Sequence, residues 1–211
     1  MRGEAVLEVD PETATFAVTV RVIERKRDDA ISALNERRAY VRRVFDSFDA
    51  ALERRETSSM WIQPKVKGRD EKQTGFAATL RSKLVVKDLA VTAELAGQLG
   101  AIDDLSLDGP SWGLRPQSDV YREVRQAATR DAVTRARDYA TVLGASLVAL
   151  VELADTGLLT EGVVHAAPMY AMAMRSDGGQ PEPTSIDLEP ARQTVRASGE
   201  ARFQITAPPL G

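Results

Sequence analysis

The stretch from Thr13 to Glu24 alternates strictly between apolar and polar side chains, and it constrains the fold more than any other part of the sequence. The apolar positions are Phe16, Val18, Val20 and Val22, and the polar positions on the other face include Thr15, Thr19 and Arg21. Because side chains on a strand point alternately to its two faces, one face is expected to be buried and the other to face solvent. Such half-buried strands are typical of antiparallel sheets, so we predict one here.

The elements around this strand predict an α+β fold. The predicted strands are Ala5–Val9, Thr13–Glu24, a segment around Met60 and Ile62, Phe76–Val86, Ile102–Leu107, Leu147–Leu153 and Arg192–Thr206, and the predicted helices run from Asp28 to about Leu52, from Asp88 to Leu99 and from Asp119 to Leu143. Between Thr13 and Leu107 the order is β-α-β-β-α-β, which is typical of a ferredoxin-like unit, and an extra helix and two strands follow. We therefore expect a mainly antiparallel sheet with helices packed on one face. Pro64 cannot donate a ladder hydrogen bond, so its strand is expected at a sheet edge or a bulge.

Two features predict close packing. A line of alanines at four-residue spacing runs along the third helix, at Ala128, Ala132, Ala136 and Ala140. Small side chains on one face let a helix approach its neighbour closely, which we interpret as packing within the domain, with a subunit contact as the alternative. Trp61 and Trp112 are interpreted as core or interface anchors.

Composition excludes several kinds of chemistry. The chain has 211 residues, a formal net charge of −3, no cysteine and one histidine. Without cysteine there is no disulfide, thiolate zinc site, iron–sulfur cluster or cysteine nucleophile, and one histidine excludes multi-histidine metal centres. We predict no cofactor and no metal site. The near balance of charges creates no global field that would attract nucleic acid, so no nucleic-acid partner is expected.

Length and hydropathy bear on domain organisation and location. A chain of 211 residues can form one large domain or two small ones, and we predict a single domain over residues 1–211. No apolar run approaches the roughly 20 residues of a membrane span, so no span is expected. The first residues contain no apolar leader. This favours a cytoplasmic location, with a periplasmic or secreted location as the alternative if a signal peptide has been removed.

Residues 156–190 show no periodicity and are predicted to form one long, mobile loop. Within it, His165 lies close in sequence to three methionines, and thioether and imidazole groups are soft ligands that could hold Cu(I). The methionines are Met169, Met172 and Met174. Because their spacing is irregular, we favour a loop that covers an apolar patch with flexible side chains, without a metal.

The segment Gly109–Gly113 matches the G-x-S-x-G pattern of a hydrolase nucleophile elbow, and Asp155 and His165 follow Ser111 in the order of a catalytic triad. An elbow, however, requires a helix directly after the serine, and here Pro116 intervenes. We therefore favour a Gly/Pro loop leading out of a strand.

The first helix carries a double pair of arginines, Arg37, Arg38, Arg42 and Arg43. Acidic residues share this helix, so a solvated face of mixed charge is favoured over phosphate binding. At 100° per residue, Arg37 and Arg38 fall at the edges of the apolar sector. They are candidates for ion pairs or a subunit interface.

Several segments together resemble one known family. They are the opening Arg2-Gly-Glu-Ala-Val-Leu-Glu-Val-Asp-Pro-Glu-Thr-Ala, the long helix with Ala30, Ala33 and Asn35, Thr74-Gly75-Phe76, Leu84-Val-Val-Lys-Asp-Leu89, the alanine-rich helix up to Leu143-Gly144, and the terminal alternating strand. In this order, over nearly the whole chain, they resemble the SIMPL-domain proteins of bacteria. The resemblance implies an α+β fold and large or ring-like homo-oligomers, which are reported for some members, including periplasmic immunogenic proteins. The family has no established catalytic residues, so we assign no catalytic, cofactor-binding or metal-binding residue.

The expected function is therefore that of a non-enzymatic, self-associating scaffold or stress- and envelope-related protein, present as a homo-oligomer. A first alternative is a small-molecule or peptide-binding module that uses the 156–190 loop. A remote alternative is a serine hydrolase built on Ser111, Asp155 and His165.

Overall fold

The computed structural model describes residues 1–67, 72–155 and 188–209. Within these residues, seven strands form two antiparallel sheets that are accompanied by three α-helices. The strands are β1 (Arg2–Val9), β2 (Thr13–Glu24), β3 (Leu52–Lys67), β4 (Lys72–Val86), β5 (Leu105–Gly113), β6 (Leu147–Asp155) and β7 (Gln193–Ile205). The helices are α1 (Arg27–Ser47), α2 (Thr92–Gly100) and α3 (Val120–Val142). The α+β prediction is confirmed, but the strands are divided between two sheets where one sheet was expected.

The chain divides into two compact units. The terminal unit comprises the described residues 1–9, 116–155 and 193–209, and the central unit comprises 10–67, 72–115 and 188–192. The sequence-based prediction of one domain over residues 1–211 stays a prediction.

The central unit is built on a four-stranded antiparallel sheet with the strand order β3-β4-β2-β5. One face of β2 is fully buried against α1, residues of α2 belong to the same core, and Phe16 within it is completely buried. The predicted bounds and inward face of β2 are confirmed. As Pro64 indicates, β3 is an edge strand. Between Thr13 and Gly113 the elements follow in the order strand, helix, strand, strand, helix, strand.

The predicted end of the first helix is wrong. The helix α1 ends at Ser47, and a 3-10 turn, Asp49–Ala51, leads directly into β3. Leu52 continues the three- and four-residue apolar spacing of α1, but it is the first residue of a strand and pairs with Val86. Both elements bury side chains in the same core, so hydrophobic spacing alone does not mark the boundary between them.

The terminal unit is a three-stranded antiparallel sheet, β1-β7-β6, with α3 packed on it. The predicted alanine line of α3 is buried, which confirms packing within this unit. Opposite this line lies Gly3, where an added Cβ would come 2.0 Å from the carbonyl oxygen of Ala128. Helix and strand therefore meet at a separation that only glycine and alanine permit.

Candidate functional site

Among the described strands, β6 lies at one edge of the terminal unit's sheet and pairs with β7 alone. The helix α3 lies over β1 and β7 and barely reaches β6. An edge strand presents backbone N–H and C=O groups that have no partner on the outer side. Within the described residues, β6 is therefore unpaired along its outer edge, and α3 leaves most of one of its faces uncovered.

The side chains of β6 are unusually apolar for such an open position. Four of them, Val148, Leu150, Val151 and Leu153, expose between 53% and 59% of their surface. A continuous apolar run is typical of a strand that is buried on both faces. Large contiguous apolar patches are uncommon on the surface of monomeric proteins.

The pairing with β7 explains how these side chains are arranged. The register shifts twice along β6, so Val148 and Val151 are the extra residues of two β-bulges. Leu150 lies opposite Phe203, on the face that carries α3. The one acidic residue in the middle of β6, Glu152, is paired with Arg202 at 3.2 Å.

A groove with a volume of 490 Å³ runs between the second half of α3 and the strands β6 and β7. Its apolar lining includes Tyr139 of α3, Leu143 directly after the end of α3, and Phe203 of β7. Tyr139 and Leu143 are also exposed to solvent. We call the four exposed apolar side chains of β6, Val148, Leu150, Val151 and Leu153, the β6 surface. The sequence predicted the strand, but it gave no signal that α3 would leave the strand uncovered.

The structure places Ser111 inside strand β5, opposite Thr15. The expected Gly/Pro loop is wrong, because the register shift at this point makes Gly109-Pro110 a bulge within the strand. Gly109 has a φ of +120°, and a Cβ there would lie 2.7 Å from the carbonyl oxygen of Thr15. The strand-to-helix turn of a nucleophile elbow is absent at this described position.

The other candidate groups of the loop lie mostly outside the described residues. Asp155 is the last residue of β6, whereas His165 and the three methionines near it fall in the part of the chain that is not described. At the far end of the predicted loop, Leu188 packs against the core of the central unit. Among the described residues, no three acidic or histidine side chains are grouped so that they could hold a metal ion.

The arginines of α1 have separate environments. The Nη2 atom of Arg37 lies 3.2 Å from Asp104, which confirms the predicted ion pairing for this residue. The guanidinium of Arg43 lies 5.2 Å from the ring centre of Tyr40. The Nε atom of Arg42 lies 3.9 Å from Asp46.

The comparison with protein families agrees with the resemblance found in the sequence. The family model described as "SIMPL: Protein of unknown function (DUF541)" matches residues 1–203 of the 211. No curated protein matches the chain. Within the described ranges, no helix has the length and apolar character needed to cross a membrane. Because the family model covers nearly the whole chain, the protein belongs to the SIMPL family.

Proposed function

We propose that the protein is a non-enzymatic structural module whose copies associate through the β6 surface. The observation that carries this proposal is the exposure of four apolar side chains on an edge strand that α3 leaves uncovered. A second copy of the chain offers the same apolar strand and can add to the sheet in an antiparallel, symmetric manner.

Apart from two β-bulges, the strand lacks the usual features that prevent edge-to-edge pairing. β6 contains no proline and no lysine or arginine, and its central charge, Glu152, is neutralised within the unit by Arg202. The two bulges limit regular backbone pairing to short stretches. Apolar contacts must therefore supply much of the association energy.

The burial of these side chains sets the magnitude of this energy. Full burial of a valine or leucine contributes about 1.5–3 kcal/mol, so completing the burial of a half-exposed one contributes roughly 1 kcal/mol. Four such side chains from each of two copies contribute on the order of 8 kcal/mol. Association costs about 4–15 kcal/mol. The two quantities are close, so we expect an equilibrium that depends on protein concentration.

The test is the solution mass measured by light scattering on a sizing column over a range of concentrations. The wild type is expected to exceed the 23.0 kDa of one chain, whereas Val151→Lys should elute as a monomer. The matched control is Met60→Lys, since Met60 is also an exposed apolar residue (61%) on an edge strand, β3, of the other sheet. A wild-type monomer at every concentration, or an unchanged mass for Val151→Lys, would overturn the proposal.

The two alternatives to this function stay predictions. Binding through residues 156–190 and hydrolysis through Ser111, Asp155 and His165 both depend on positions outside the described residues. If the wild type has an esterase activity and Ser111→Ala abolishes it, the protein is a serine hydrolase and the proposal of a non-enzymatic module is wrong.

A further inference from the structure

A second cavity lies entirely within the central unit, between α1 and the strands β3 and β4, and has a volume of 190 Å³. Its apolar lining comes from both layers: Val18, Val20 and Leu80 from the sheet, and Val41 and Phe45 from α1. These five side chains are themselves buried parts of the core. The cavity is thus a recess in the core that opens to solvent.

An interruption in the apolar pattern of β4 explains why the recess exists. Leu80 and Leu84 are buried on the face of β4 that packs against the helices, but Ser82 stands between them. Ser82 lies opposite Val18 on β2 and opposite Thr57 on β3. A serine at a position where its neighbours are leucines leaves space that α1 does not fill.

Ser82 and its neighbour on β3, Thr57, supply polar groups. Ser82 and Thr57 both line the recess, and neither hydroxyl makes a side-chain hydrogen bond within the described part of the chain. A hydroxyl can donate one hydrogen bond and accept others. Ser82 is partly buried and Thr57 is exposed, and the two adjacent hydroxyls can contact the polar end of a ligand.

The rim of the recess is rich in arginine. Arg38 and Arg42, one turn apart on α1, and Arg55 of β3 all line it, together with Glu56. Arg55 donates a hydrogen bond to Asp46, and Glu56 lies 3.4 Å from Arg54 outside the recess. The hydrogen bond with Asp46, aided by the charges of Asp46 and Asp49, raises the pKa of Arg55.

The positive charges at the rim are not all neutralised by acidic neighbours, and Arg38 shows this most clearly. Among the described residues it has no ion-pair partner, whereas Arg42 shares Asp46 with Arg55. Like charges four residues apart on a helix repel each other. The rim therefore carries an excess of positive charge, which an anion placed between Arg38 and Arg42 would neutralise.

We propose that this recess binds a small amphiphilic carboxylate. A carboxylate at the rim can accept paired hydrogen bonds from the guanidinium groups of Arg38 and Arg42, since the planar donors of arginine match carboxylate geometry. The apolar part of the ligand fills the space lined by Val18 and Phe45. A cavity of about 150 Å³ accommodates benzene, so the recess has room for one aromatic ring or a chain of about six carbons.

This site is independent of the β6 surface, because every residue that forms it belongs to the central unit. Its ligand combines an anion with a short apolar group, and neither part alone satisfies both the rim and the recess. The proposal therefore distinguishes hexanoate from acetate, which lacks the apolar chain, and from hexanamide, which lacks the charge.

The experiment is titration of the full chain with hexanoate, hexanamide and acetate, followed by NMR chemical shifts and calorimetry. For a ligand of this size we expect a dissociation constant of about 1–10 mM for hexanoate. Binding of hexanamide and acetate should be weaker by about tenfold, since each loses one of the two kinds of contact. Equal affinity for hexanoate and acetate, or no binding of hexanoate, would overturn the proposal.

Variants locate the site. Arg38→Gln together with Arg42→Gln should weaken hexanoate binding by about tenfold. The control, Arg43→Gln, removes one positive charge from the same helix outside the recess, where the double variant removes two, and should change the affinity by less than about twofold. Ser82→Leu should abolish binding by filling the recess, with circular dichroism showing that the variant is folded. An equal loss in Arg43→Gln, or undiminished binding in the double arginine variant, would refute the assignment.

Discussion

The contact between β1 and α3 can be tested by adding one methyl group at Gly3. A Cβ at this position would lie 2.0 Å from the carbonyl oxygen of Ala128 and 2.7 Å from the Cβ of Ala132. Carbon atoms in ordinary contact are about 3.5–4.0 Å apart. One of the two neighbours is backbone and the other is the shortest side chain with a Cβ, so no rotamer change can relieve the overlap. Strand and helix would have to separate by more than about 1 Å.

This separation sets the size of the expected effect. Overpacking of a close contact costs about 1–3 kcal/mol and occasionally more, and the depth of this overlap places Gly3→Ala at the upper end, at about 3 kcal/mol. In a chain of this length each kcal/mol changes Tm by about 2–4 °C, so Tm should fall by roughly 6–12 °C. The movement would also loosen the contacts made by the buried alanine line.

The assay is urea unfolding followed by circular dichroism, combined with hydrogen exchange. Gly97→Ala is the matched control, since Gly97 lies within α2 and an added Cβ there has nothing within 4 Å. This control should gain about 0.5–1 kcal/mol of stability from higher helix propensity. In Gly3→Ala, amides of β1 and α3 should lose protection while those of β2 keep it. A free energy of unfolding for Gly3→Ala within about 0.5 kcal/mol of wild type would refute the close contact.

Two further substitutions test the central unit. Phe16→Ala removes the largest fully buried side chain of the core and should lower the free energy of unfolding by about 3–5 kcal/mol, measured by urea unfolding; a loss below about 1 kcal/mol would mean that Phe16 is not enclosed as described. Arg37→Ala breaks an ion pair with Asp104 between two half-exposed side chains, so the same measurement should show a loss of no more than about 1 kcal/mol. A loss several times larger would contradict the solvent exposure of this pair.

Much of the fold could be predicted because the apolar positions in the local sequence patterns are the positions that the structure buries. The alternation from Thr13 to Glu24 gave both the bounds and the inward face of β2, since one side of that strand is covered and the other is not. The start of β3 was missed for the opposite reason. Residues 53–59 are polar on both faces because an edge strand can leave both faces in water, so they carry no alternating signal.

The candidate sites could be predicted from the sequence less well than the fold, because they depend on which elements lie side by side. The double arginine pair was visible in the sequence, but the ion pair of Arg37 and the excess charge at Arg38 depend on which strands lie beside α1. Ser82 interrupts an apolar series in the sequence. That the interruption forms a recess follows only from the position of α1 over β4.

The sequence by itself determined the order of the strands and helices, the inward face of β2 and the alanine line that lets α3 approach its sheet, but not the end of α1 or the start of β3. These are local properties, set by side-chain spacing along the chain and by hydrophobic burial. Only the tertiary structure decided that the apolar strand β6 is exposed. One helix covers about two strands, because helices pack about 10 Å apart and strands about 5 Å apart. A third strand beside α3 is therefore left open, however apolar its sequence is.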